Sequence, residues 1–149
     1  MITLVDEFEV LGVPAPQGSK TRMPNGAMLD GKSPKARAKH RAWRSAVAEV
    51  ARDLAGETPH DGPLQLQVTF RLPMPQSRPA RARRAGVWPH ATKPDLDKLL
   101  RSTLDGLEDG GLIRDDSRIC AMEVDAWEVI GWTGALITLR QVDVEGGAA

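Results

Sequence analysis

Leu64-Gln65-Leu66-Gln67-Val68-Thr69-Phe70-Arg71-Leu72 alternates apolar and polar residues without a break. A period of two sets one row of side chains on a core and the other in water, so the stretch reads as a half-buried β-strand. Pro73-Met74-Pro75 ends it, because proline cannot donate to a sheet ladder. Upstream, Gly56 to Pro63 is a loop, and before it Ser33-Pro34 is a helix-start signal. Ala36, Trp43, Val47, Val50 and Leu54 then recur at three- and four-residue spacings, which predicts a helix from about Lys35 to Ala55. Its first half is basic, with Lys35, Arg37, Lys39, His40, Arg41 and Arg44. Phe8 to Val13 is expected to be a first strand, ended by Pro14-Ala15-Pro16, and Gln17 to Lys32 a loop rich in Gly, Pro, Asn and cations.

Downstream, Gln76 to His90 carries Arg78, Arg81, Arg83, Arg84 and Trp88 without periodicity and is expected to be a mobile basic loop. Pro94 disfavours helix at Lys93, so a second helix starts near Asp95. Leu96, Leu99, Leu100, Thr103, Leu104 and Leu107 form its apolar stripe, and Gly106 or Gly110-Gly111 ends it. Ile119 to Val129 reads as a long strand. Gly131 and Gly134 bracket a turn holding Trp132, and Ala135 to Val142 is a last strand, expected to pair with the one before it as a hairpin. Glu145 to Ala149 is expected to fray.

The order strand, helix, strand, helix, strand, strand predicts an α/β (α+β-like) sandwich. It would be a small mixed sheet of about four strands with two main helices on it, one domain over residues 1–149. About two-fifths of the chain is apolar, and no apolar run approaches the ~18 residues of a membrane helix. Met1-Ile2-Thr3-Leu4-Val5-Asp6-Glu7 lacks the pattern of an export signal, which makes the cytoplasm the expected compartment. Cys120 has no cysteine to pair with and is expected to be a small core residue, while Trp43, Trp127 and Trp132 are expected in the core or at a dimer contact. The zero net charge hides a division: residues 1–93 hold 15 Lys and Arg against 8 Asp and Glu, and residues 94–149 hold 5 against 12. A basic half beside an acidic half suits a protein that grips a polyanion and presents a metal site to it, though such charges also pair within one fold.

The acidic half is organised. Lys93-Pro94-Asp95-Leu96-Asp97-Lys98-Leu99-Leu100-Arg101 opens the second helix, and Arg114-Asp115-Asp116-Ser117 precedes the long strand. With Asp95 as a non-helical cap residue and Asp97 in the first turn, both carboxylates can converge on one ion, and a strand returning beside the helix start could add Asp116. Clustered carboxylates repel one another unless cations neutralise them, and hard oxygen donors suit Mg²⁺ or Mn²⁺. Two such ions could activate water and stabilise the leaving oxygen of a phosphodiester. Arg101, four residues after Asp97 and so on its face, could hold a phosphate. Each part has a structural alternative: Asp-Leu-Asp also caps helices, Asp-Asp-Ser also makes turns, and Arg101 also forms an ordinary i,i+4 pair.

Lys93 to Leu107 together with Asp115-Asp116-Ser117-Arg118-Ile119 resembles the core of the RusA-type Holliday-junction resolvases, with a weaker match at Pro14-Ala15-Pro16-Gln17-Gly18-Ser19-Lys20, the Ser33 helix and the final strands. The resemblance implies a Mg²⁺-dependent endodeoxyribonuclease, a homodimer that binds a four-way junction and nicks opposing strands in DNA recombination and repair. It implies Asp95, Asp97 and Asp116 as catalytic, metal-associated carboxylates, with Asp115 the acid beside the third. Arg101 stands where the best-known member has a lysine: it keeps the charge but cannot give up a proton. Lys98 stands where members often carry asparagine.

Candidate DNA contacts are Lys20, Arg22, Lys35, Arg37 and Lys39 on one segment, Arg78, Arg81, Arg83 and Arg84 on another, and Lys93 and Lys98 at the helix start. Their alternatives are a solvated helix face and an unstructured loop. Trp88 is read as packing on its own domain in preference to stacking on a base. His40, His60 and His90 have no ligand spacing and are assigned no chemistry. The competing function is a non-catalytic DNA-binding module of a phage or prophage; the Ala-, Arg- and Gly-rich composition suggests a high-GC genome, such as a phage's. A nucleotide-sugar transferase using Asp-x-Asp fits poorly, for lack of room for a nucleotide domain. Neither GxGxxG nor GxxxxGK[ST] occurs, and no small-molecule cofactor beyond the metal is expected.

Overall fold

The computed structural model describes residues 1–18, 20–22, 24, 28–30 and 33–143, the side chains of 20–22 and 28–30 excepted. The expected frayed tail lies outside the described residues. In chain order the elements are β1 (Ile2–Leu11), β2 (Lys20–Arg22), β3 (Met28–Asp30), α1 (Pro34–Leu54), β4 (Leu64–Pro73), α2 (Ala80–Ala85), β5 (Val87–Pro89), α3 (Leu96–Asp109), β6 (Ile119–Val129) and β7 (Gly134–Val142).

The alternating strand β4 is the centre. Leu64, Leu66, Val68, Phe70 and Leu72 are buried on one face, and Gln65, Gln67, Thr69 and Arg71 stand half-buried on the other. Both edges of β4 are paired, antiparallel to β7 and parallel to β6. β1 closes the far side of β7 and β5 the far side of β6, giving the order β1-β7-β4-β6-β5. Three expectations change here. The sheet has five strands, with β2 and β3 forming a separate two-stranded ribbon. β6 and β7 are not a hairpin, because β4 lies between them. Gln76 to His90 is not an unstructured loop: it holds α2, closed by Gly86 at φ 76°, and the edge strand β5.

α1 and α3 cover the buried face of the sheet. Trp43, Val47 and Ala51 of α1 meet Leu99, Leu104 and Leu107 of α3 in one cluster with β4 and β7. The Trp43 Nε1–H donates to Thr103 Oγ1 at 3.1 Å, and that hydroxyl donates to the Leu99 carbonyl at 2.8 Å, so the polar atoms at the seam are satisfied. Two glycines set the helix separation. A Cβ on Gly106 would sit 2.7 Å from Val47 Cβ and 2.9 Å from the Arg44 carbonyl, and one on Gly110 2.5 Å from the Ala48 carbonyl. Outside the seam, Arg44 grips Asp109 with both carboxylate oxygens, at 2.5 and 3.0 Å.

Along the inward row of β6, Ile119, Val124 and Ala126 are half-buried, Met122 is exposed and Glu128 is buried. Cys120 falls at the register shift between Ile119, which pairs with Leu64, and Ala121, which pairs with Gln65, so it is exposed and not the core residue expected. Of the tryptophans expected in the core or at a dimer contact, Trp43 is in the core and Trp127 is 37% exposed.

Candidate active site

α3 carries acids at both ends. Asp95 is its cap residue, with extended backbone at φ −68° and ψ 143°, and its carbonyl accepts the Leu99 N–H at 3.1 Å. Its carboxylate makes no capping hydrogen bond, so capping does not account for it. Asp97 follows in the first turn, and both side chains are exposed.

At the other end, Asp115 caps a single 3₁₀ turn over Asp116–Arg118, its Oδ1 accepting the Ser117 N–H at 2.8 Å. The Asp116 N–H donates to Glu108 Oε1 at 2.6 Å, tying this turn to the last turn of α3. Glu108, Asp115 and Asp116 each offer a carboxylate oxygen within 4.8 Å of the others, on an exposed surface. The protons respond. Burial pushes the Glu108 carboxyl up, with the charges of Asp116, Asp115 and Asp105 adding to it against the Asp116 N–H. Asp116 is raised by its hydrogen bond to Asp115, then by burial and the neighbouring acids, with Arg101 opposing. Asp115 is lowered by the Ser117 N–H and hydroxyl. Three carboxylates this close offer hard oxygen donors that a divalent Mg²⁺ or Mn²⁺ would fit.

Asp97, Arg101 and Glu108 share one face of α3 at i, i+4 and i+11. Eleven residues span about 16 Å of helix axis. Asp115 and Asp116 thus come together with Glu108, while Asp95 and Asp97 stand at the opposite end with Arg101 between. Sequence reading missed Glu108. The signal was present, since following the Asp97 face along the helix reaches it three turns on.

A second missed group braces the helix start. Glu128, 1% exposed, receives hydrogen bonds from Arg78, whose Nη2 donates to Oε2 at 2.8 Å. It also pairs with His90 Nδ1 at 2.9 Å, and His90 Nε2 meets the Pro94 carbonyl at 2.8 Å. Arg78 holds Glu128 below the usual carboxylate range against the effect of burial, with His90 adding. A glutamate on the inward parity of β6 was the readable sign, because a buried carboxylate demands partners.

The expected DNA-contact residues divide. Lys35 and Lys39 are exposed on the first turns of α1 and Arg37 is half-buried there. Lys93 is exposed and Lys98 half-buried at the start of α3. Arg81 is exposed with its guanidinium 5.3 Å from the centre of the Trp88 ring, and Arg84 is exposed. Arg83 donates to the Pro75 carbonyl at 2.8 Å. Arg78, also expected to contact DNA, has its guanidinium on Glu128 and Thr92. Lys20 and Arg22 lie in β2, their side chains outside the description.

One mixed α/β domain thus carries acids at both ends of α3, with cations beside its start. The family model described as endodeoxyribonuclease RusA matches residues 20–139, and the chain belongs to this family of Holliday-junction-resolving endonucleases. It is also similar to the uncharacterized protein YqaN of Bacillus subtilis (strain 168), at 30% identity over 124 residues, covering 79% of this chain and 84% of the relative. Among the described residues, no helix is long and apolar enough to cross a membrane.

Proposed function

We propose that the protein is a Mg²⁺-dependent, structure-specific endonuclease that resolves four-way DNA junctions by paired nicks, in recombination and repair in the cytoplasm of a bacterial or phage-infected cell. The observation that carries this reading is the gathering of Glu108, Asp115 and Asp116 at one end of the helix whose other end presents Asp95 and Asp97. Glu108, Asp115, Asp116, Asp95 and Asp97 are the residues that would hold the metal, Mn²⁺ serving in place of Mg²⁺. Once bound, the ion supplies an activated water and neutralises charge at the phosphate. Arg101 holds the phosphate between the two acidic groups, its fixed positive charge facing the non-bridging oxygens. Lys35, Arg37, Lys39, Lys93 and Lys98 draw the backbone toward the start of α3.

The separation of the two acidic groups supports a homodimer. If α3 packs antiparallel to its copy, the first turn of one helix meets the Asp115-Asp116 turn of the other, and a two-fold enzyme faces a two-fold substrate. Leu96 and Met122, 39% and 47% exposed, supply apolar surface for such a contact.

The test is cleavage of a synthetic junction beside linear duplex in Mg²⁺, Mn²⁺ and EDTA. Metal-dependent symmetric nicking of the junction alone is expected, with Asp97→Asn and Asp116→Asn each binding but not cutting. Mixing the two dead variants should restore single nicks, because a heterodimer with shared sites keeps one site intact. Retained cutting by either variant alone would sink the site assignment. Junction binding without cutting by the wild type under any metal would leave a binding module.

A further inference from the structure

The side chains of Glu128 and His90 are 1% and 5% exposed, and the chemistry above gives neither a part. Burying a carboxylate is costly unless it is paired and hydrogen-bonded, so what the pair holds in place is informative. Arg78 donates to both Glu128 oxygens, and Glu128 Oε2 meets His90 Nδ1 at 2.9 Å. The His90 backbone N–H donates to the Ala126 carbonyl at 3.1 Å, so ring and backbone are both fixed on β6. The far ring nitrogen, Nε2, reaches the Pro94 carbonyl at 2.8 Å. A carbonyl oxygen only accepts, so Nε2 carries the hydrogen of that bond. Arg78 also donates to Thr92 Oγ1 at 3.3 Å, and that hydroxyl donates to the Lys93 carbonyl at 3.4 Å. The carbonyls of Lys93 and Pro94, the last before Asp95, are thus both held by one group anchored on β6.

Asp95 depends on that hold. Its carboxylate is exposed and makes no capping hydrogen bond, so the direction of its Cα–Cβ bond is set by the peptide planes on either side. The plane after it is tied into α3, the Asp95 carbonyl accepting the Leu99 N–H. The plane before it has its carbonyl on His90. We infer that His90 is a positioning residue for the cleavage: its Nε2–H bond to the Pro94 carbonyl aims the Asp95 carboxylate, while Glu128, backed by Arg78, fixes the ring. This rests on the nuclease reading and adds to it a residue that touches neither metal nor DNA. A carboxylate misplaced by about 1 Å can cost about 100-fold in rate. Such a loss falls on kcat and spares substrate binding.

Amide side chains separate the two ring bonds. Glutamine sets its nitrogen near the Nε2 position, where it can donate to the Pro94 carbonyl; asparagine sets its own near Nδ1, where it meets only Glu128. With the full-length protein, His90→Asn should lower kcat for junction cleavage about 10–100-fold, with KM and junction affinity in EDTA unchanged. His90→Gln should restore most of that kcat. The Asp95 amide NMR resonance should move further in His90→Asn than in His90→Gln, because that N–H shares the plane whose carbonyl is released. Equal kcat in the two variants overturns the assignment: both high means the bond is idle, and both low means His90 serves only the fold. A loss of EDTA affinity in His90→Asn alongside its loss of kcat overturns it as well. If the wild type cuts no junction, the nuclease reading fails, and the amide shifts still decide whether His90 holds Asp95.

Discussion

Replacing Gly106 by alanine tests how the two helices are held at their distance. On a solvent-facing helix the change would stabilise by up to ~1 kcal/mol, the difference in helix propensity. Here the new Cβ would stand 2.7 and 2.8 Å from Val47 Cβ and Cγ1 and 2.9 Å from the Arg44 carbonyl, which is backbone. Carbon atoms settle at ~3.5–4.0 Å, so α1 must retreat by roughly 1 Å. A gap of that size forfeits a quarter to a half of each contact across the seam. It also stretches the 3.1 Å bond from Trp43 to Thr103, worth about 1 kcal/mol. Overpacking costs about 1–3 kcal/mol; adding the bond and subtracting the propensity gain leaves a net loss of about 1–3 kcal/mol. Urea unfolding followed by far-ultraviolet circular dichroism reads this as a lower midpoint with unchanged slope. Gly56→Ala is the control, since its Cβ meets nothing within 4 Å. Gly106→Ala as stable as the wild type, or no worse than Gly56→Ala, would refute the close-approach account.

Three further outcomes are expected. Because the folded Glu128 carboxyl titrates below its unfolded value, its ionised form contributes stability that is complete above about pH 4.3 and is lost as pH falls through the lower folded value. Glu128→Gln should therefore lose less stability than wild type between pH 7 and pH 3, measured by urea midpoints, and an equal loss would remove Glu128 from that account. Calorimetric titration with Mn²⁺ should show binding weakened at least tenfold in Glu108→Gln; wild-type affinity there would exclude Glu108 as a ligand. The logarithm of junction affinity should fall linearly with the logarithm of salt concentration, and Lys39→Ala should make that slope shallower by about one, whereas an unchanged slope would take Lys39 off the DNA path.

Elements with a long, unbroken period were legible in the sequence. β4 and β6 lie where alternation and turn residues put them, and α1 starts at the Ser33 signal, where the serine Oγ accepts the Ala36 N–H. What failed depends on partners far away in the chain. β6 and β7 are joined by a short turn, yet β4 presents two open edges to both, and burying its apolar face outweighs adjacency. α2 is six residues long and β5 three, too short for any period to register; β5 is held by its edge ladder with β6, and α2 packs against β5. In the site, Asp95 and Asp97 stand as expected at the helix start, but nothing local says which end of α3 the Asp115-Asp116 turn will reach. That depends on the direction of β6, which the sheet decides by pairing it parallel to β4.

The place of β7 has a consequence for how the protein is made. It fills the slot between β1 and β4, pairing Ile2 with Val142 at one edge and Val68 with Ile137 at the other. While residues 134–142 are still within the ribosome, a nascent chain has both of those edges open and lacks Ala135, Ile137 and Leu139 from its core. The emerging polypeptide cannot complete its sheet early, and the helix bearing the acids has no finished floor to settle on. A sheet assembled this way leaves the acid-bearing helix without its floor until residues 134–142 have left the ribosome.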